Sequence, residues 1–237
     1  MASAATGTVY LIPCFIDEEN LQTIPAYIAD AVKECQVFFV ENERSARRYL
    51  KQLWKEMIID NYEWHTIHKA EEEVKDAFKK ALQRGVTIGI ISEAGCPGVA
   101  DPGQVLVETA HAMGAAVKPF VGPSSILLAL MASGMSGQSF QFVGYLPIDN
   151  AERVKTLKEL ETESARKKCT QIFIETPYRN NQLTESICKT LKPSTRLCIA
   201  ADISSQQEYI KTKTIDGWKN KLPDIHKRPA IFLLYAS

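Results

Sequence analysis

The chain has 237 residues, 45% hydrophobic and 24% charged, which suits a globular protein of one large or two modest domains. Lys plus Arg and Asp plus Glu balance at 28 each, so net charge points to no particular partner. A broadly basic nucleic-acid surface is excluded, and only a local patch stays open.

The opening stretch "MASAATGTVYLIPCF" has no basic leader region, and its apolar run is too short for a bilayer. The expectation is a cytoplasmic protein. Five short runs rich in β-branched or aromatic residues mark the first half: "TVYLIP", "QVFFVE", "YEWHTI", "VTIGIIS" and "AAVKPFV". Helical patterns lie between them at approximately 21–34, 43–57, 69–84 and 103–113. Strands alternating with helices imply parallel crossovers with helices on both faces. "VTIGIIS" is apolar nearly throughout, as a central parallel strand should be.

In the second half, "GPSSILLALMASGM" reads as a helix with Ser124 or Ser125 near its N-cap and Gly134 ending it. There follow "FQFVGYLP", a charged helix at about 150–167, "TQIFIET", a helix from about 179, "RLCIAADI", "EYIKTKTI" and "PAIFLLYAS". "EYIKTKTI" alternates polar and apolar residues and suits an edge or half-exposed antiparallel strand. The fold class expected is two α/β domains, with a mostly parallel doubly wound sheet in the first and a mixed sheet in the second. The boundary falls near Phe120 to Pro123, giving domains at 1–120 and 121–237.

The chain lacks GxxxxGK[ST], GxGxxG and GxSxG, so no triphosphate loop, dinucleotide fingerprint or common hydrolase elbow is present. The six cysteines, at 14, 35, 96, 169, 188 and 198, form no CxxC pair and fit buried thiols in a reducing compartment. "WHTIH" brings His65 and His68 close in sequence, but no Cys or acid lies at zinc-site spacing, so no metal is expected.

"SEAGCPGVADPGQ", residues 92–104, is longer than a strand-to-helix connector needs. It follows a strand's carboxyl end, where open α/β sheets place ligands. Helix N-terminal amides can receive a carboxylate there, while Glu93 or Asp101 can accept from an ammonium or a ribose hydroxyl. Equally, Asp101 can cap the helix while the glycines turn the chain. "ENERSARRYLK" puts Arg44, Arg47, Arg48 and Lys51 largely on one helical face, either a solvated face or a phosphate-binding one. "FIETPYRNN" ends a strand in Glu175, with Arg179 four residues on; the two are catalytic or simply pair.

Taken in order, "GTVYLIP", "VENERSARRYL", "SEAGCPGVADPG", "VGPSSILLALMASGM", "FQFVGYLP", "FIETPYR" and "RPAIFLLYA" resemble the tetrapyrrole methylase superfamily of S-adenosylmethionine-dependent methyltransferases. Within it, the chain is similar to the branch that methylates the ribose 2′-hydroxyl of a cytidine in small-subunit ribosomal RNA. The resemblance implies two α/β domains with S-adenosylmethionine in a cleft between them, in a homodimer. Carried across by position, cofactor contacts come from Glu93, Ala94, Gly95, Asp101, Ser124, Ser125 and Ile126, then from Thr176, Ala200 or Ala201, and Ala230. Positioning a ribose hydroxyl calls for a base, for which Glu175, Glu93 and Glu41 are candidates. Arg44, Arg47 and Arg179 are then the phosphate contacts of an RNA substrate.

Some residues depart from the branch. "CFIDEENLQTI" replaces its glycine–asparagine turn, Asn42 takes the usual aspartate position, and Tyr178 replaces a common histidine. The alternatives are methylation of a corrin or porphyrin ring, whose GxGPGD-like first loop is missing here, and a cofactor-binding or assembly module without catalysis.

Overall fold

The computed structural model describes residues 6–67 and 71–236. The chain divides into two compact units, Met1–Ser124 and Ser125–Ser237.

In the first unit the elements run β1 (Thr8–Ile12), α1 (Ile28–Glu34), β2 (Val37–Val40), α2 (Glu43–Leu53), β3 (Glu63–Thr66), α3 (Glu71–Gln83), β4 (Thr87–Ile91), α4 (Gln104–Ala112) and β5 (Ala116–Pro119). The strand order is β3-β2-β4-β1-β5, and every pairing is parallel. β4, the "VTIGIIS" run, lies at the centre, as its unbroken apolarity predicts. Side chains alternate across the pleat, so Tyr10, Ile12, Phe38 and Val40 meet α1 and α2 through Ile28, Val32, Tyr49 and Leu50. Val9, Phe39, Ile88 and Ile90 meet α3 and α4 through Phe78, Leu82, Leu106 and Ala110 on the other face. Each such buried side chain stabilises the unit by about 1.5–3 kcal/mol relative to exposure.

Two helices are shorter than their apolar pattern suggests. The 21–34 stretch splits into a 3-10 turn, Leu21–Thr23, and α1, because Pro25 pushes Ile24 into extended backbone at φ −95° and ψ 122°. α2 stops at Leu53 rather than 57, where Trp54 turns extended.

The second unit contains α5 (Ser125–Ser133), β6 (Phe140–Tyr145), α6 (Asn150–Lys167), β7 (Thr170–Ile174), α7 (Asn180–Thr190), β8 (Arg196–Ala201), β9 (Tyr209–Thr214), α8 (Ile215–Lys219) and β10 (Ala230–Tyr235). Its order is β6-β7-β10-β8-β9, with β6 parallel to β7 and the other pairs antiparallel. The sheet is mixed, as expected, and β9 lies at its edge. One face packs α5 through Ile126, Ala129 and Leu130. The other packs α6, α7 and α8 through Leu157, Leu183, Ile187 and Trp218. α8 escapes sequence reading because "IDGWK" is too short to show a helical period. It is pinned by fully buried Trp218, whose indole N–H donates to the Leu197 carbonyl at 2.9 Å. Among the described residues no helix is long and apolar enough to cross a membrane.

Gly89 of β4 has no room for a side chain: a Cβ there lies 2.7–2.9 Å from the Phe38 ring and the Ile12 methyl. Gly89→Ala is therefore expected to cost about 1–3 kcal/mol by overpacking. Urea melts check this, and an unchanged midpoint would mean that this face of the sheet repacks freely.

Candidate functional site

Parallel pairing in one register aligns the carboxyl ends of three strands. Ile12 pairs with Ile91, and Val40 pairs with Ile91 from the other side. The residues that follow them, Pro13–Cys14, Glu41–Asn42 and Ser92–Glu93, therefore leave the sheet together. Cys14 and Gly95 exchange backbone hydrogen bonds at 2.8 and 3.1 Å, tying the first of these loops to the third. Gly95 and Gly98 hold φ of +70° and +78°, where a side chain is strained. Gly122 approaches the same loop so closely that a Cβ there lies 2.0 Å from Pro13.

The result is a cluster of acids. The Glu93 amide donates to the Glu41 carboxylate at 2.9 Å, and the Ser45 hydroxyl reaches Glu93 at 3.5 Å. Asp101 is held up at about 6, first by burial and then by the charges of Glu41 and Glu93; a hydrogen bond from Ser92 offsets part of this. Among the described residues no Lys or Arg pairs with any of the three. The helix-capping alternative for Asp101 is corrected: the N-cap of α4 is Gly103, with no side-chain cap. Cys96 sits in the same loop with its thiol donating to the Pro123 carbonyl at 3.4 Å, and burial raises its pKa. Cys14 is raised to about 12 by burial, so its thiol is inert.

The charged face of α2 is not a row of free cations. Arg47 pairs with Glu43 and lies over the Trp64 ring at 5.1 Å, Arg48 pairs with Glu18 at 2.5 Å, and Lys51 donates to the Met57 carbonyl at 3.0 Å. Arg44 is exposed and forms no ion pair among the described residues. His65 bonds Glu63 at 2.7 Å and stacks on Phe39, while His68 lies outside the described residues. Among the described residues no group of three or more His, Cys, Asp or Glu is arranged to hold a metal ion.

In the second unit, Glu175 and Thr176 follow β7 directly. Ala230 pairs with Ala201, and Ile231 with both Ala200 and Ile174, so Thr176, Ala200, Ala201 and Ala230 share one end of the sheet. Ala200 and Ala201 are fully buried, which leaves mainly backbone available to a ligand. The same holds for Ile126, whose side chain points into the core beneath α5. Buried Glu175 and Arg179 do pair: Glu175 Oε1 accepts from Arg179 Nη2 at 2.6 Å, from its Nε at 3.1 Å and from the Thr176 amide at 2.7 Å.

No protein-family model matches the chain. Curated relatives do. The chain is 28% identical over 222 residues to ribosomal RNA small subunit methyltransferase I of Halalkalibacterium halodurans, covering 89% of this chain and 73% of the relative. The protein of that name from Buchnera aphidicola is 28% identical over 232 residues, 97% of this chain and 78% of the relative. Among solved structures, the methyltransferase CobJ superposes with a TM-score of 0.64 at 16% identity, covering 98% of this chain and 95% of that one. A uroporphyrin-III C-methyltransferase from Thermus thermophilus, complexed with S-adenosylhomocysteine, gives 0.56 at 14% identity over 97% of each chain.

The chain is similar in sequence to ribosomal RNA small subunit methyltransferases I and shares its fold with tetrapyrrole methyltransferases. It is an S-adenosylmethionine-dependent methyltransferase. The unpaired acids fit that cofactor, whose ammonium and sulfonium are both cationic. Against the superfamily pattern, Asn42 keeps a structural duty: its side chain caps α2 by accepting from the amides of Arg44 at 3.0 Å and Ser45 at 3.2 Å. Sequence reading missed Ser92 and Ser45, because a serine gives no signal of its role until strand order brings acids to it.

Asp101 also yields a stability prediction. Its folded pKa lies above its unfolded value of 3.8. Its ionisation therefore opposes folding, with no effect below about pH 4 and the full effect above about pH 6. Asp101→Asn should melt about 2 °C higher than the parent at pH 7.5 and identically at pH 3.5, after allowing for solvent screening at this half-buried position. Thermal melts at both pH values decide; an equal gain at both would show that charge is not the cause.

Proposed function

We propose that this methyltransferase acts on small-subunit ribosomal RNA, at the ribose 2′-hydroxyl of a cytidine. The observation that carries the substrate is the breadth of the sequence match, since proteins named for small-subunit ribosomal RNA align over 89% and 97% of the chain. The tetrapyrrole methyltransferases share the fold at 14–16% identity. The "PCFIDEEN" stretch after β1 lacks the glycine-rich loop that ring methylation calls for.

Bound S-adenosylmethionine supplies a methyl already activated on sulfur, so the task left to the protein is alignment. The 92–104 loop, through Asp101, Ala94 and Gly95, holds the cationic and ribose parts of the cofactor in this reading. Ser124, Ser125 and Ile126 offer backbone groups, as do Thr176, Ala200, Ala201 and Ala230. Glu175 has its Oε1 filled by three donors, so its role is to position Arg179 as a phosphate contact. Proton acceptance then falls to exposed Glu93. Arg44 is the α2 cation left to meet RNA, and Arg47 supports it from its place on Trp64.

Calorimetric titration with S-adenosylhomocysteine, followed by mass mapping of ribosomal RNA from cells lacking the protein, tests the whole reading. The expected result is binding plus one missing ribose methyl. Binding with an intact RNA map would move the substrate to tetrapyrroles, and no binding would leave a module without catalysis. Glu93→Gln should lower turnover by about 10²–10⁴-fold, with less than a tenfold loss of cofactor affinity. Full activity removes Glu93 from the mechanism. Because Asp101 gains its charge near pH 6, S-adenosylmethionine affinity should rise as pH increases through that value. A flat affinity profile between pH 5 and 7.5 rejects that contact.

A homodimer belongs to the same proposal. One side of α5 packs into the core, yet Leu127 and Met131, one turn apart on the other, are 50% and 78% exposed. Exposed apolar side chains at helical spacing mark a covered surface, and a second copy is the occupant that the resemblance implies. Leu127→Glu with Met131→Glu should give monomers by light scattering. An unchanged mass would place any interface elsewhere.

A further inference from the structure

The Tyr178 side chain is 70% exposed although the turn that carries it is hydrogen-bonded on both sides. It lies in the 3-10 turn Pro177–Arg179, separated from the buried Glu175 by Thr176. The turn is bound on one side by the Arg179–Glu175 pair. On the other it is sewn to the 224–228 segment. The Lys227 amide donates to the Pro177 carbonyl at 2.9 Å, Asn180 Nδ2 to the Arg228 carbonyl at 2.6 Å, Asn181 Nδ2 to Asp224 at 2.8 Å, and the Ile225 amide to Asn181 Oδ1 at 2.9 Å. Arg228 is fixed in turn by Asp202 at 2.5 Å.

This stitching holds Lys227 at φ +62°, in the left-handed region that a lysine rarely adopts. Such a conformation persists only where the surroundings over-determine it. Its consequence is local: Lys227 Nζ comes over the Tyr178 ring at 5.7 Å, and the His226 ring meets it edge-on at 5.9 Å and 77°. An aromatic face is thus left open to solvent, with a cation beneath it and a second polar ring at its edge. Burial would be the ordinary fate of a tyrosine held so rigidly.

We propose that Tyr178, with His226 and Lys227, is a stacking platform for one unpaired base of the RNA substrate. The proposal rests on the RNA reading above. An exposed ring with a cation over one face matches what single-stranded nucleic acid offers, a flat base attached to a phosphate. The ring takes the base, and Lys227 Nζ reaches the neighbouring phosphate. Because the ring is fixed in advance by its backbone, stacking on it requires little ordering.

The test uses the full chain and a labelled, unstructured single-stranded RNA of about twelve nucleotides, with the same sequence as a duplex for comparison. Tyr178→Ala should weaken single-strand binding about tenfold and leave duplex binding unchanged, while Tyr178→Trp should keep or strengthen it. Lys227→Gln should flatten the dependence of log affinity on log salt by about 0.7. All three variants should bind S-adenosylhomocysteine as the parent does. Parent-like RNA affinity in Tyr178→Ala overturns the platform while leaving the RNA reading intact. Absence of RNA binding by the parent chain overturns both. Tyr178-dependent binding of a porphyrin in place of RNA assigns the ring to a tetrapyrrole and rejects the RNA base. A loss of S-adenosylhomocysteine affinity in Tyr178→Ala assigns the ring to the cofactor instead.

Discussion

Three parallel strands in one register, Ile12 beside Ile91 beside Val40, fix where everything chemical in the first unit can be. Once those strands end level, the loops after them have to leave from one edge. The Cys14–Gly95 backbone pair then holds two of them at a set distance. Glycines at 95 and 98 follow as a requirement, because the loop turns where a side chain is strained. The carboxylates are carried along by the backbone. Glu41 and Glu93 come from different strands and meet only because those strands pair with each other.

Concentrating acids at that edge has a cost that the fold carries. Burial and two neighbouring charges hold Asp101 near 6, so the unit is less stable at neutral pH than it would be with a neutral group there. A site selected for stability would place a lysine among these acids. Keeping them unpaired makes sense when the cation arrives with the ligand, as it does with a sulfonium and an ammonium. The second unit follows the opposite rule. Its buried acid, Glu175, has its arginine built in.

Local interactions also explain how departures from the superfamily pattern are accommodated. Asn42 caps α2 as an aspartate would, since one side-chain oxygen accepting from two amides suffices. Arg47, which looks available in sequence, is drawn onto Trp64 and Glu43, and so leaves Arg44 as the outward charge of that helix. Tyr178 gains its neighbours Lys227 and His226 from the distant 224–228 segment, which no reading of "FIETPYRNN" alone can supply.

The sequence by itself determined the alternation of strands and helices, the central place of "VTIGIIS" and the edge character of "EYIKTKTI". These follow from short-range rules: side-chain period, helix caps, and the turns that glycine and proline demand. Only the tertiary structure decided that β10, last in the chain, lies in the middle of its sheet. It also decided that Glu175 is committed to Arg179, that Asp101 shares its space with Glu41 and Glu93, and that Gly103 rather than Asp101 opens α4. The reason is range. Period and turn propensity act over a few residues, whereas burial and charge act through space, between residues that strand order alone brings together.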